Sequence, residues 1–221
     1  MTEADIRRRY TELADVYIQM FGAAEHVDPE DLEFLARNLG HCDGTVLDAG
    51  CGPGHLTAYL TDLGLTARGI DLVPDFIDSA RSNWPNVEFA VGSMKTLDIP
   101  DRSLRGILAW YSLIHCEPAG LAEVLTEFHR TMSRNGTLVV GFFEGGEVEP
   151  FDHKVTTAYR WPADEMSRML STAGFVEVDR SRRAGTDRVR PHAALAARAE
   201  SPSQQANWLD VNLNSTGLRH R

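Results

Sequence analysis

Strand-sized apolar segments alternate with amphipathic segments of helical spacing along most of this 221-residue chain. That alternation predicts an α/β fold, a mostly parallel sheet covered by helices on both faces. Two further observations support it. The first apolar segment runs directly into a cluster of glycines, as a buried strand does where it turns hard into a helix. The last two apolar segments are joined by a basic turn, which predicts an antiparallel strand pair at the end of the sheet.

The elements follow in order. Over residues 3–21, Ile6, Tyr10, Leu13, Ala14, Tyr17 and Phe21 recur at helical spacing, giving one amphipathic helix with an aromatic seam. A second helix is predicted over Pro29–Asn38, with Asp28 as N-cap, Pro29 in the first turn and Gly40 as the stop. Strands are expected at 45–49, 67–71, 87–91, 105–111 and 137–143. Helices are expected at 56–63, 75–82, 121–132 and 162–173, with Asn135-Gly136 as a turn and Gly174 as a stop. Residues 175–180 and 192–198 form the closing strand pair, joined by the turn 182–190. Residues 201–221 are polar and read as a flexible tail, although Trp208, Leu209, Val211 and Leu213 give it some means of docking.

Composition narrows the function. Hydrophobic residues make up 43% of the chain, which excludes wholesale disorder. The net charge of -10 argues against a nucleic-acid partner, and the run Arg7-Arg8-Arg9 reads as a solvated helical turn. The three cysteines, Cys42, Cys51 and Cys116, include no CxxC pair, so neither a disulfide framework nor a zinc finger is expected. No metal is expected, because the eight histidines are scattered and form no HExxH. The polar start is no secretory signal, and no apolar run approaches the roughly 20 residues of a membrane span. A cytoplasmic protein without a membrane partner, monomeric or homodimeric, is the expectation.

The sharpest signal is Val46-Leu47-Asp48-Ala49-Gly50-Cys51-Gly52-Pro53-Gly54. Glycines at 50, 52 and 54 let backbone N–H groups approach a ligand, and the following helix presents its N-terminus to a negative group. Asp71 ends the next strand, where a carboxylate can accept both hydroxyls of a ribose. The spacing G-x-G-x-G departs from the dinucleotide fingerprint G-x-G-x-x-G. Asp48, two residues before the first glycine, suits an ammonium and repels a pyrophosphate. Together these features point to a nucleoside that carries an amino acid, as S-adenosylmethionine does, and disfavour an NAD-dependent oxidoreductase.

Residues 45–72 closely resemble the first two motifs of the class I S-adenosylmethionine-dependent methyltransferases, in the small-molecule branch with methyltransferase domains of the 11 and 25 type. The resemblance runs over roughly 40–200 and implies a Rossmann-like, mostly parallel sheet of about seven strands. It implies a domain over 41–200, a helical lid over 1–40 and S-adenosylmethionine as cofactor. Asp48, Gly50, Cys51, Gly52 and Gly54 would hold the methionine end, and Asp71 and Leu72 the ribose. Ser93 and Met94 would flank adenine, where the family carries an acid at the position of Ser93. Trp110 would face the ammonium through its carbonyl. Tyr10, on the lid, would stand near the cofactor carboxylate. A second departure, Arg105 in place of an acid at the start of the fourth strand, has no assigned purpose.

Methyl transfer needs orientation and exclusion of water, and a base only when the nucleophile arrives protonated. His115, just after the fourth strand, is the candidate base; its other reading is a structural histidine bonded to backbone. Tyr17, Tyr111, His153 and Tyr159 are the candidate acceptor contacts, each with ordinary packing as the alternative. The expected function is methyl transfer to a small-molecule acceptor. A non-catalytic cofactor-binding protein is the alternative.

Overall fold

The computed structural model describes residues 2–21, 27–186 and 189–200; the C-terminal segment from 201, with its expected tail, lies outside them. In chain order the elements begin with α1 (Glu3–Glu12), α2 (Ala14–Phe21), α3 (Pro29–Leu39), β1 (Thr45–Ala49), α4 (His55–Asp62) and β2 (Thr66–Asp71). They continue with α5 (Pro74–Asn83), β3 (Glu88–Val91), β4 (Leu104–Trp110), α6 (Pro118–Thr131) and β5 (Met132–Phe143). The last are β6 (Glu149–Phe151), β7 (Ala158–Arg160), α7 (Ala163–Thr172), β8 (Phe175–Arg183) and β9 (His192–Ala199).

Seven strands form one sheet in the order β3-β2-β1-β4-β5-β9-β8. The first five run parallel, and β9 pairs antiparallel with both β5 and β8. The central strands β4 and β5 carry apolar runs, Ile107–Ala109 and Leu138–Val140, because both of their faces are buried. In β4, Ile107 joins the core beneath α6 and α7 while its neighbour Leu108 joins the core beneath α3 and α4. In β5, Leu138 and Val139 divide in the same way. Phe128, Phe142 and Phe175 are fully buried on the first face and Phe34 on the second, each stabilising the fold by about 1.5–3 kcal/mol.

Three departures from the expected elements matter. The N-terminal helix breaks at Leu13, whose backbone leaves the helical region at φ -114°, ψ 7°. A straight helix would set Tyr10 and Tyr17 about 10 Å apart; the break brings their rings edge to face at 5.5 Å. Residues Asn135-Gly136 do not separate α6 from a later strand. β5 begins at Met132 opposite Leu104, bulges through Asn135 at φ 59°, and resumes with Thr137 opposite Gly106. The connection after β5 holds an antiparallel pair, β6 with β7, that the periodicity did not reveal.

Candidate functional site

The glycine turn sits at the carboxyl end of β1. Gly50, Gly52 and Gly54 all have positive φ, at 80°, 53° and 88°. At Gly50 a Cβ would lie 2.3 Å from the Cβ of Ser112, and at Gly54 2.8 Å from Ala80 and the Phe89 ring, so no side chain fits either place. The N–H groups of Gly50 and Cys51 both donate to the Ile70 carbonyl, at 2.8 and 2.9 Å, which pins the turn to β2. Asp71 completes the clamp: Gly52 N–H donates to Oδ2 and Val73 N–H to Oδ1, each at 2.9 Å. Burial raises the Asp71 carboxyl, and those backbone donors oppose the shift.

Beneath the turn, Asp48 is 1% exposed and accepts a hydrogen bond from Thr57 Oγ1 at 2.7 Å. Burial pushes its carboxyl up to about 7, against the Thr57 bond and helped by the charge of Asp71. Asp48 therefore ties β1 to α4 and lies outside the walls of the cleft. Cys51 also turns inward, packed with Ile77, Ala80 and Phe89. Gly54 caps α4 without lining the cleft.

The cleft is about 1100 Å³ including its open mouth. Gly50, Gly52, Asp71, Leu72, Met94 and Trp110 of the cofactor set line it, as does Tyr10. Its floor is the row of carboxyl ends of β3, β2, β1 and β4. Its roof is α1, which presents Glu3, Ile6 and Tyr10 at i, i+3 and i+7 and buries no residue of its own. Tyr17 and Phe76 meet beside Tyr10 with ring centroids 5.1 Å apart. The Tyr10 hydroxyl lies 2.8 Å from His115 Nε2, and His115 Nδ1 lies 2.8 Å from the Thr157 carbonyl. A carbonyl only accepts, so Nδ1 carries the proton and Nε2 accepts from Tyr10. Burial lowers the His115 pKa, with the Thr157 carbonyl opposing, so the ring is held neutral.

Among the acceptor candidates, Tyr17 and Tyr111 line the cleft. Tyr111 has φ 54°, a left-handed backbone unusual for an aromatic residue, fixed by its N–H bond to Gly141 at 2.9 Å. His153 stands behind His115 at 5.4 Å between ring centroids, its Nδ1 buried without a partner. Burial and the neighbouring His115 drive it down to about 4. Tyr159 is held away from the cleft in β7, where it packs against the main core. Ser93 is 2.7 Å from Glu3, its hydroxyl donating to Oε1.

Sequence reasoning missed Glu3, Ile6, Phe76 and Ser112 among the cleft residues. The Glu3–Ile6–Tyr10 spacing was a usable signal for the first two; Phe76 and Ser112 become visible only when the turns fold. Ser112 lines the cleft beside Gly50, and its Oγ is buried without a hydrogen-bond partner. The bare glycine turn, the held carboxylate of Asp71 and this spare hydroxyl fit an amino-acid nucleoside. Among the described residues no group of three His, Cys, Asp or Glu is placed to hold a metal ion, and no helix is long and apolar enough to cross a membrane.

Comparison with known proteins places this architecture. A family model described as a methyltransferase domain matches residues 46–136. The demethylmenaquinone methyltransferase of Chlorobaculum tepidum is 32% identical over 98 residues, covering 44% of this chain and 40% of that protein. The chain thus spans about 40% of the length of the first curated relatives it matches. Among solved structures, the 1,6-didemethyltoxoflavin-N1-methyltransferase of Burkholderia thailandensis, with bound 1,6-didemethyltoxoflavin and S-adenosylhomocysteine, superimposes with a TM-score of 0.73. It is 24% identical and the match covers 90% of this chain and 87% of that one. The [4+2]-cyclase SpnF superimposes with a TM-score of 0.75 at 18% identity, over 90% and 97% of the two chains. Residues 46–136 thus match a methyltransferase domain, and the seven-stranded sheet is the fold of these solved structures, so the chain is similar to the class I S-adenosylmethionine-dependent methyltransferases, a family whose cofactor is S-adenosylmethionine.

Proposed function

We propose that this protein transfers the methyl group of S-adenosylmethionine to a small-molecule acceptor bound beside Tyr10 and His115. The observation that carries the reading is continuity: one cleft runs from Gly50, Gly52 and Asp71 to the Tyr10–His115 pair. The cofactor supplies an electrophilic methyl on a sulfonium. The chain supplies position, dryness and a place for a proton. The turn at Gly50–Gly52, with the Ser112 hydroxyl, receives the amino-acid end, while Asp71 accepts from the ribose hydroxyls. Tyr17, Phe76 and Tyr111 exclude water from the acceptor end.

Where the acceptor arrives as a hydroxyl or amine, its proton passes to Tyr10 Oη as the Tyr10 proton passes to His115 Nε2. Tyr10 stays neutral throughout, which suits a phenol whose pKa burial raises well above its ordinary value. His115, neutral beforehand, ends as the cation. Incubation with S-adenosylmethionine and a panel of small phenols, amines and carboxylates tests this. Accumulation of S-adenosylhomocysteine with one acceptor class is the expected result; binding of NAD in preference to S-adenosylmethionine would overturn it.

A second reading has one observation in its favour. Both nitrogens of His115 are already bonded within the protein, to Tyr10 and to Thr157, as in a histidine that holds a lid rather than moves a proton. A cofactor-binding protein without methyl transfer would then retain S-adenosylmethionine unconsumed with every acceptor.

A further inference from the structure

We infer that Glu3, carried in by the α1 roof, is the carboxylate that reads the exocyclic amine of the cofactor's base. The inference rests on the cofactor reading above and adds a specificity residue to it.

The sheet order fixes where the base must lie. Asp71 at the end of β2 takes the ribose hydroxyls, and the glycine turn at the end of β1 takes the amino-acid end. In a nucleoside the base on C1′ and the 5′ carbon on C4′ stand at opposite ends of the sugar, flanking the ring oxygen. The base therefore extends away from β1, over β3, the next strand in the sheet. The cleft wall there is Gly92 and Met94, and the residue between them is Ser93.

Ser93 reads an amine poorly, because the Lys95 N–H already takes one lone pair of its uncharged oxygen and only the second is left. Its hydroxyl proton goes to Glu3 Oε1 at 2.7 Å, and its oxygen accepts the Lys95 N–H at 3.0 Å. It serves instead as a post that holds Glu3. Glu3 lines the same cleft, and its second oxygen, Oε2, has no hydrogen bond or ion pair among the described residues. A free carboxylate oxygen beside a nucleobase pocket accepts from an amine and repels a carbonyl, which is how such a site tells an amino purine from its oxo counterpart. Glu3 is the first residue of α1, directly behind the Thr2 cap. The helix has no buried residue, so its hold on the body depends on what lies beneath it.

The test is calorimetric titration of the full chain with S-adenosylhomocysteine and with its 6-oxo analogue, S-inosylhomocysteine. The native protein should bind the adenine form at least about tenfold tighter. Glu3→Ala should bring the two within about threefold of each other, chiefly by weakening the adenine form. Glu3→Gln should do the same, because its amide can donate to the oxo group. Unchanged discrimination in Glu3→Ala, or collapse in Ser93→Ala with Glu3→Ala unaffected, overturns the role of Glu3 and leaves the cofactor reading standing. Binding of neither compound to the native protein overturns both.

Discussion

The hydroxyl of Tyr10 donates a hydrogen bond of 2.8 Å to Nε2 of His115, joining the roof helix to the end of β4 across 105 positions of sequence. The bond closes the cleft over its acceptor end. It also fixes the histidine as the neutral tautomer with its proton on Nδ1.

Tyr10→Phe keeps the ring contacts with Tyr17 and Phe76 but removes the hydroxyl. Turnover should fall by about a hundredfold or more if the proton passes through that oxygen. Cofactor affinity, read by calorimetry, should change by less than about fivefold, since one neutral hydrogen bond contributes only about 1 kcal/mol. Loss of affinity with turnover per bound cofactor intact would assign Tyr10 to the lid alone.

Asp71→Ala should weaken S-adenosylmethionine binding by at least about tenfold, equivalent to about 1.4 kcal/mol. It should also lower the melting temperature without ligand, because Gly52 and Val73 lose the acceptor for their N–H groups. Calorimetry and a thermal melt on the same sample separate the two effects. An unchanged affinity in the folded variant would remove Asp71 from the site.

Gly50→Ala places a Cβ 2.3 Å from Ser112 at a φ of 80°. The turn must shift, and the expected outcome is a loss of more than about 2 kcal/mol in urea denaturation together with loss of cofactor binding. Gly64→Ala is the control. It too has a positive φ, 88°, but nothing lies within 4 Å of the added carbon, so it should cost less and leave cofactor affinity unchanged.

Buried Asp48 and half-buried His153 tilt stability with pH in opposite senses. His153 is lowered from 6.5 to about 4, chiefly by burial. Between those values the unfolded chain binds a proton that the folded one does not, so stability is lost as pH falls from 6.5 toward 4. His153→Phe should flatten that limb. Asp48 is raised from 3.8 to about 7, again chiefly by burial. Its folded form holds the extra proton, so its contribution is full below 3.8 and lost as pH rises through 7. Asp48→Asn should flatten the neutral limb while keeping an acceptor for Thr57. Urea midpoints at pH 4.5, 6 and 8 check both signs.

The sheet was legible because its strands obey a strong rule. A run such as Ile107-Leu108-Ala109 is buried on both faces, and the turns between strands and helices carry Gly or Pro. The glycine turn and Asp71 were legible for the same local reason: backbone approach requires glycine, and the acid stands at a strand end. The roof was only half legible. Nothing in Glu12-Leu13-Ala14 signals a break, since no Gly or Pro stands there, and only packing of Tyr10 against Tyr17 and Phe76 reveals it. The β6–β7 pair escaped because each strand is three residues long, too short to show a period. The Glu3–Ser93 bond spans 90 positions and depends on where the roof lands, which local sequence does not encode.

A crystal structure with S-adenosylhomocysteine bound tests the central claim most directly. The account places the amino-acid end at Gly50–Gly52, the ribose hydroxyls on Asp71, the base amine on Glu3, and the sulfur facing the space beside Tyr10 and His115. A ligand seated elsewhere, or a cleft that stays empty at saturating ligand, would contradict it.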